Sequence, residues 1–368
     1  MVMFDREALW LTNTARQRFD GAESASSDRI TTVPALGQTA ALFSIGLAAI
    51  LVMGCDRSAE QPVRELKLGL VTDIEHSSYK AAVKFSDLVK ERTRGKLVIK
   101  VYPNAVLAAG DSSRQLQMLG EGKVDFSLTS TVAYSNLDKR FFACSLPWLF
   151  SGYDAADKFL TGPVGRSVLD MTRDLGIEGL ALGENGFRQI TNSRRAIHTP
   201  DDLRGLRIRV PTEMFAPVYR SLGAQPEFMK FTATYQALHD RTMDGQENPT
   251  DLIVAHRYYD VQKFVTIWNH SYDAFIFGVN RSLFNSLDRK TQEVLRQTAL
   301  EAAAYETNLA RESAKMQIDI LKEKGMEVTE LTSGEVKAFR AKVEPVYAAY
   351  EPIIGKQLLD SLRNLDNK

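Results

Sequence analysis

Short apolar runs and longer amphipathic stretches follow one another between residues 66 and 130. The runs at 66–72 (LKLGLVT), 97–103 (LVIKVYP) and 124–130 (VDFSLTS) have the length and composition of strands. The stretches between them, such as SSYKAAVKFSDLVKERTRGK, place apolar residues at helical spacing and end near glycines such as Gly95. Strands that alternate with helices predict a parallel sheet with right-handed crossovers.

A second set of elements begins near residue 158 with a helical pattern that continues to residue 175. Phe187–Asn192 (FRQITN) is a strand candidate, and the following TPDDLRG predicts a short, capped turn of helix. The adjacent carboxylates Asp201 and Asp202 suit the positive end of that turn better than a catalytic pair. The strand LRIRVP and the helix TYQALHDRTMDG come next. The whole pattern is typical of an α/β fold built in two halves.

The last hundred residues have a helical pattern. Between Ser286 and Gly325, apolar positions recur at helical spacing, with Ser286 or Asp288 as the candidate cap and Gly325 as the stop. A helix of more than about 30 residues would be about 45 Å long. Because a small domain is narrower than that, we expect this helix to lie across two domains.

The composition excludes several classes of function. With 368 residues, the chain is long enough for two domains, and its 46 basic and 46 acidic residues leave no net charge. No global field would therefore attract nucleic acid or an anionic membrane, so any recognition of charge must be local. The sequence has no GxGxxG, no phosphate-binding GK[ST] loop, no GxSxG and no HExxH, and its five histidines lack convincing metal-ligand spacing. We expect no cofactor and no metal.

The N-terminal region resembles a secretion leader. Residues 40–54 are uncharged, about the length of a signal-peptide apolar region and short for a bilayer span, which needs about 20 residues. The following Cys55 completes VMGC, which is similar to the lipobox of bacterial lipoproteins, although Met53 departs from that pattern. We therefore predict a leader at 1–54, lipidation of Cys55 and a polar tether at 55–65. A buried helix or an uncleaved anchor helix remains the alternative, and Cys144 is expected to be a buried free thiol.

Two arginines lie on one face of the strand LRIRVP. Leu206, Ile208 and Val210 alternate with Arg207 and Arg209, and Pro211 ends the strand. A parallel sheet binds ligands at the carboxyl ends of its strands, where Arg209 lies. A guanidinium group is a planar fork that binds a carboxylate through two hydrogen bonds and stays charged. One of the two arginines could instead pair with a surface carboxylate.

Several motifs occur in one order from about Val63 to the C-terminus: SSYKAA, GKLVIKVYP, GKVDFS, NGFRQITNSRRAIHTPDDLRGLRIRVP, MDGQENP and YYDVQKFVTIWNH. In this order and spacing the chain resembles the DctP-type solute-binding subunits of tripartite ATP-independent periplasmic (TRAP) transporters. The resemblance implies a two-lobed periplasmic-binding-protein-like fold with a long helix that spans both lobes. It places lobe I at 66–185 and about 275–313, and lobe II at 186–274 and about 314–368.

The resemblance also implies a site. Members of the family bind a small organic carboxylate between the lobes, close over it and deliver it to a membrane permease driven by an ion gradient. In this sequence, Arg209 matches the family's carboxylate-binding arginine. Glu247 would hold an arginine in position from behind. The other implied ligand contacts are Arg188, Asn248, Phe231 and His270, although Asn248 could instead cap a turn, Phe231 could belong to the core and His270 could be structural.

The first lobe departs from the sialic-acid-binding members of the family. Ser112 and Ser130 stand where those members tend to have carboxylates. Because hydroxyl groups suit ligand hydroxyls, a sugar acid such as a uronate or an aldonate is favoured. A C4-dicarboxylate comes next, since Arg188 and Arg209 could hold two carboxylates.

Two other functions would use the same cleft: an extracytoplasmic lyase acting on a carboxylate, or a ligand sensor. For the favoured function we expect a monomeric periplasmic protein, with the permease subunits as partners. The lipid on Cys55 would anchor it, and Asp56 after the cysteine favours retention in the inner membrane.

Overall fold

A computed structural model describes residues 63–366, so the predicted leader, Cys55 and most of the tether lie outside the described residues. The described residues form nine strands: β1 Arg64–Leu70, β2 Leu97–Tyr102, β3 Phe126–Ser130, β4 Ile177–Asn192, β5 Arg207–Val210, β6 Gln225–Phe228, β7 Gly245–Pro249, β8 Phe264–Asn280 and β9 Glu327–Glu330. The helices are α1 Ser77–Arg92, α2 Ser112–Gly120, α3 Thr131–Tyr134, α4 Tyr153–Thr161, α5 Pro163–Met171, α6 Ala216–Ser221, α7 Phe231–His239, α8 Thr250–Ala255, α9 Arg281–Ser286, α10 Arg289–Glu323, α11 Ser333–Ile354 and α12 Lys356–Arg363.

The strands form one sheet in the order β2-β1-β3-β8-β4-β7-β5-β6, with β9 added beside β8. The outer pairs β1–β2, β1–β3, β5–β6 and β5–β7 are parallel. For β1, β2 and β3 this confirms the prediction, whereas β6 and β7 were not predicted as strands. At the centre, β4 and β8 run antiparallel to each other, β8 also runs antiparallel to β3, and β4 to β7. The prediction of a parallel sheet, made for the elements between residues 66 and 130, does not extend to these central antiparallel pairings. The sequence pattern missed this because β4 and β8 are buried at almost every position, so period-2 alternation is lost.

The two central strands run through both halves of this two-lobed α/β fold. β4 has 16 residues and β8 has 17, far more than the FRQITN segment that the pattern marks as a strand. Their pairing register shifts at three places, between Gly179 and Ala181, between Glu184 and Gly186, and between Arg188 and Ile190. We propose that the lobes divide near the second of these shifts, where the boundary after residue 185 is predicted.

The predicted long helix is confirmed. α10 has 35 residues, about 52 Å at 1.5 Å per residue. The Asp288 side chain caps it by accepting a hydrogen bond from the backbone N–H of Thr291, and Gly325 follows its end with a φ of 87°, which glycine adopts readily. Along its length α10 packs on α1, β4 and α8, so one helix connects elements from both ends of the sheet.

Two local predictions have different outcomes. The capped turn is confirmed as a 3₁₀ turn at Pro200–Leu203, in which Thr199 and Asp202 form a capping box. The single helix expected at 158–175 is wrong, because the chain forms α4 and α5 with a break at Gly162–Pro163. Proline lacks an N–H and disfavours helical geometry in the preceding residue, so it starts a new helix instead.

Candidate functional site

A cavity of about 520 Å³ lies between the two halves of the sheet. Its walls come from the segments that follow β1 and β3, from the first residues of α2, from the middle of β4, and from the ends of β5, β6 and β7. Six of the predicted contact residues line it: Ser112, Ser130, Arg188, Arg209, Phe231 and Asn248.

Arg209 is a buried cation whose charge is not neutralised by an adjacent carboxylate among the described residues. Its side chain is 1 % exposed, its Nε donates to the carbonyl of Met229 at 2.9 Å, and its Nη1 has no hydrogen-bond partner within residues 63–366. The guanidinium carbon lies 6.0 Å from the centre of the Phe231 ring. Burial lowers the pKa of Arg209 to about 10, so the group is still protonated at neutral pH. A desolvated guanidinium that faces a cavity is a binding group for an anion.

Arg207, two residues away on the same strand, is paired instead. It donates from Nε and from Nη2 to the two carboxylate oxygens of Asp244, at 3.1 Å each. It does not line the cavity. The sequence left open which of the two arginines pairs with a carboxylate, and the structure identifies Arg207.

Arg188 lines the cavity, but its guanidinium is already occupied. Nε and Nη2 contact the carboxylate of Glu247, Nη1 lies 3.1 Å from Asp273, and Nη2 also donates to Asn248 Oδ1 at 3.0 Å. Burial opposes the charge of Arg188, yet the two carboxylates outweigh burial and raise its pKa. Burial likewise raises the pKa of Glu247, against the opposing effect of Arg188. Arg188 therefore orients Asn248 and has little capacity left for a ligand carboxylate.

His270 is a correction to the predicted site, because it does not line the cavity. The ring is fully buried behind Arg188, with Nδ1 donating to the Arg188 carbonyl at 3.0 Å and Nε2 lying 3.3 Å from the Tyr219 hydroxyl. Burial lowers the pKa of His270 to about 3, so it is a neutral structural histidine. The family resemblance identified the position of His270 but could not show whether the side chain contacts the ligand or is structural.

Two residues of the site were missed by the sequence analysis. Asp273 lies in β8 and accepts four hydrogen bonds: from Thr131 Oγ1 and the Val132 N–H on Oδ1, and from Asn185 Nδ2 and Arg188 on Oδ2. Asn185 lines the cavity beside it. A carboxylate inside the apolar run SYDAFIFG was the available signal, because a buried charge needs partners.

The two sides of the cavity touch each other along its rim. Lys230 lies 2.8 Å from Asp111, and Thr232 donates to the carbonyl of Gly110 at 3.0 Å. A second bridge joins Ser135 Oγ to Thr212 Oγ1 at 3.1 Å. These contacts place the structure in an arrangement in which the cavity is covered from both sides.

Among residues 63–366, no group of three or more His, Cys, Asp or Glu side chains is placed to hold a metal ion. Within the same part of the chain, no helix combines the length and the apolar character that crossing a bilayer requires. Cys144 is a free, buried cysteine, as predicted, and burial raises its pKa.

Comparisons with known proteins agree on one family. The family model described as "Bacterial extracellular solute-binding protein, family 7" (DctP) matches residues 68–352. The 2,3-diketo-L-gulonate-binding periplasmic protein YiaO of Escherichia coli is 33% identical over 302 residues, covering 82% of this chain and 89% of YiaO.

Two solved structures are similar along their whole length. One is a TRAP periplasmic solute-binding protein from Ralstonia eutropha with bound (S)-2-acetolactate, with a TM-score of 0.80 and 34% identity, covering 83% of this chain and 99% of that one. The other is the sugar acid binding protein DctPAm from Advenella mimigardefordensis in complex with galactonate, with a TM-score of 0.80 and 31% identity, covering 83% and 98%.

Proposed function

The chain belongs to family 7 of the bacterial extracellular solute-binding proteins, and from this premise we propose that it captures a small organic carboxylate in the covered cavity through Arg209. The family consists of binding proteins, so the protein is not an enzyme and the lyase interpretation is set aside. The observation that carries the proposal is the buried guanidinium of Arg209, which faces the cavity without a carboxylate partner among the described residues.

The energetics favour an anionic ligand. The cost of desolvating the Arg209 charge is already present in the ligand-free protein, as its lowered pKa indicates. A carboxylate in the cavity would form charge-assisted hydrogen bonds with the guanidinium without further desolvation of that group. Phe231, whose ring lies beside Arg209, would cover the apolar face of the ligand.

A hydroxylated monocarboxylate fits the cavity better than a dicarboxylate does. Arg188 already contacts Glu247 and Asp273, so it is poorly placed to bind a second ligand carboxylate. The opposite wall offers the hydroxyl groups of Ser112 and Ser130. Sugar acids also occur among the relatives, in the name of the E. coli protein and in the complex with galactonate. We therefore favour a uronate or an aldonate, with a C4-dicarboxylate as the second choice.

The family and its TRAP relatives further support delivery of the ligand to a membrane permease from the periplasmic side. A lipid on Cys55 would keep the protein close to that partner, and mass spectrometry of the mature protein would detect the lipid. An unmodified N-terminus after leader removal would contradict the anchor.

A thermal-shift screen of the purified protein tests the ligand class directly. The panel contains aldonates, uronates, C4-dicarboxylates and keto acids, each also recovered afterwards to confirm that it is unchanged. A ligand at 100 times its Kd stabilises the folded protein by about 2.7 kcal/mol. Stabilisation by one class of carboxylate supports the proposal, and a folded protein that responds to none of them contradicts it.

A further inference from the structure

Asn185 presents a hydrogen-bond acceptor to the cavity. Its side chain is 5% exposed and lines the cavity from the middle of β4. Its Nδ2 donates to Asp273 at 2.7 Å, whereas its Oδ1 accepts no hydrogen bond from any residue of the described part of the chain. Buried amide oxygens normally accept a hydrogen bond, so this atom is placed for a partner other than the described residues, such as a bound ligand.

The orientation of this amide is fixed by its neighbours. Asp273 receives donors on both oxygens, from Thr131, Val132, Arg188 and Asn185 itself. An ionised carboxylate only accepts hydrogen bonds. If the amide turned over, its oxygen would face the Asp273 carboxylate with two acceptors in contact. The Asp273 carboxylate therefore directs the Asn185 oxygen away from itself and leaves it as an acceptor.

We propose that Asn185 determines specificity by accepting a hydrogen bond from a hydroxyl group of the ligand. The inference rests on the proposed function, because it requires a carboxylate held by Arg209. The cavity then has one group that only donates hydrogen bonds, Arg209, and one atom that only accepts them, Asn185 Oδ1. A ligand with a carboxylate and a hydroxyl satisfies both. A second carboxylate or a keto oxygen next to Asn185 would place acceptor against acceptor.

The test compares ligands matched in length. Isothermal titration calorimetry gives the affinities of the purified protein for D-erythronate, succinate and butanoate, and for D-galactonate, adipate and hexanoate. A ligand that leaves the buried Asn185 acceptor without a hydrogen bond should bind about 10-fold more weakly or worse. We therefore expect each aldonate to bind at least about 10-fold tighter than the two carboxylates of the same length that lack hydroxyl groups.

Asn185→Leu removes the acceptor and should reduce that preference by about 10-fold, mostly by weakening aldonate binding. Asn185→Ala, which adds no volume, is measured alongside it, and circular dichroism checks that both variants are folded. Thr131→Val is the matched control, because it also removes a donor to Asp273 but does not line the cavity. It should leave the preference unchanged even if the absolute affinities fall.

The outcomes separate this inference from the proposed function. The role of Asn185 is overturned if both Asn185 variants retain the preference for aldonates, or if Thr131→Val reduces that preference equally. In either case the proposal that the protein binds a carboxylate is unaffected. Equal binding of hydroxylated and unhydroxylated carboxylates by the wild type overturns it as well. A wild-type protein that binds none of the six carboxylates overturns both proposals.

Discussion

Replacing Arg209 with methionine should move affinity and stability in opposite directions. Methionine occupies much of the volume of the aliphatic part of the arginine side chain but carries no charge. The affinity for the carboxylate ligand should fall by at least about 30-fold, because losing one partner of a buried, hydrogen-bonded charge pair costs about 2–5 kcal/mol and each 1.4 kcal/mol is tenfold.

The stability of the ligand-free protein should not fall. Burial lowers the pKa of Arg209 well below that of an ordinary arginine, to about 10, which corresponds to roughly 3 kcal/mol against the charged form. Against this, the hydrogen bond from Arg209 Nε to the Met229 carbonyl contributes about 1 kcal/mol of stability. The unfavourable free energy of burying the charge is therefore larger than the stabilisation from the lost hydrogen bond. The free energy of unfolding of ligand-free Arg209→Met should exceed that of the wild type by about 2 kcal/mol.

Calorimetric titration measures the affinity, and urea unfolding without ligand measures the free energy of unfolding. Arg207→Met is the matched control, since it removes an arginine from the same strand, but one paired with Asp244 and outside the cavity. It should leave ligand affinity unchanged. The reasoning is refuted if Arg209→Met binds the ligand as well as the wild type does. It is also refuted if Arg209→Met strongly destabilises the ligand-free protein, because the arginine would then have a structural partner.

Two further predictions concern the groups behind the cavity. In Glu247→Gln, Asp273 is the one carboxylate within residues 63–366 that still contacts Arg188. The free energy of unfolding, measured by urea titration, should therefore fall by about 3 kcal/mol. Unchanged stability would show that the ion pair between Arg188 and Glu247 is not structural. Because burial lowers the pKa of His270 to about 3, the native protein leaves this ring neutral at pH 5 while the unfolded chain protonates it. Protonation of His270 in the unfolded chain should therefore lower the free energy of unfolding of the wild type by about 2 kcal/mol between pH 7 and pH 5. The variant His270→Gln should lose about 2 kcal/mol less over the same interval. Equal losses in the two proteins would contradict a neutral His270 in the folded state.

Local chemistry explains which parts of the fold were predictable. The ends of α10 follow from Asp288 and Gly325, whose side-chain and backbone preferences act within a few residues. The strands β1, β2, β3 and β5 were predicted, because each is a short apolar or alternating run bounded by turns or helices. The strands β6, β7 and β9 were not, because their sequences QPEF, GQENP and EVTE are largely polar. β4 and β8 were not recognised as long antiparallel strands, because burial on both faces removes the alternation on which the prediction depends.

The sequence by itself determined the family resemblance, the α/β architecture, the spanning helix and Arg209 as the candidate anchor, since all of these depend on motifs and on spacing along the chain. Tertiary structure alone decided that Arg209 is the cavity arginine without a carboxylate partner among the described residues. Arg188 meets Asp273, 85 residues away, because the antiparallel register places β4 against β8. The same register directs Asn185 into the cavity and His270 behind its wall. Electrostatic and hydrogen-bond partners are set by distance in space, and a one-residue change of register would exchange them all.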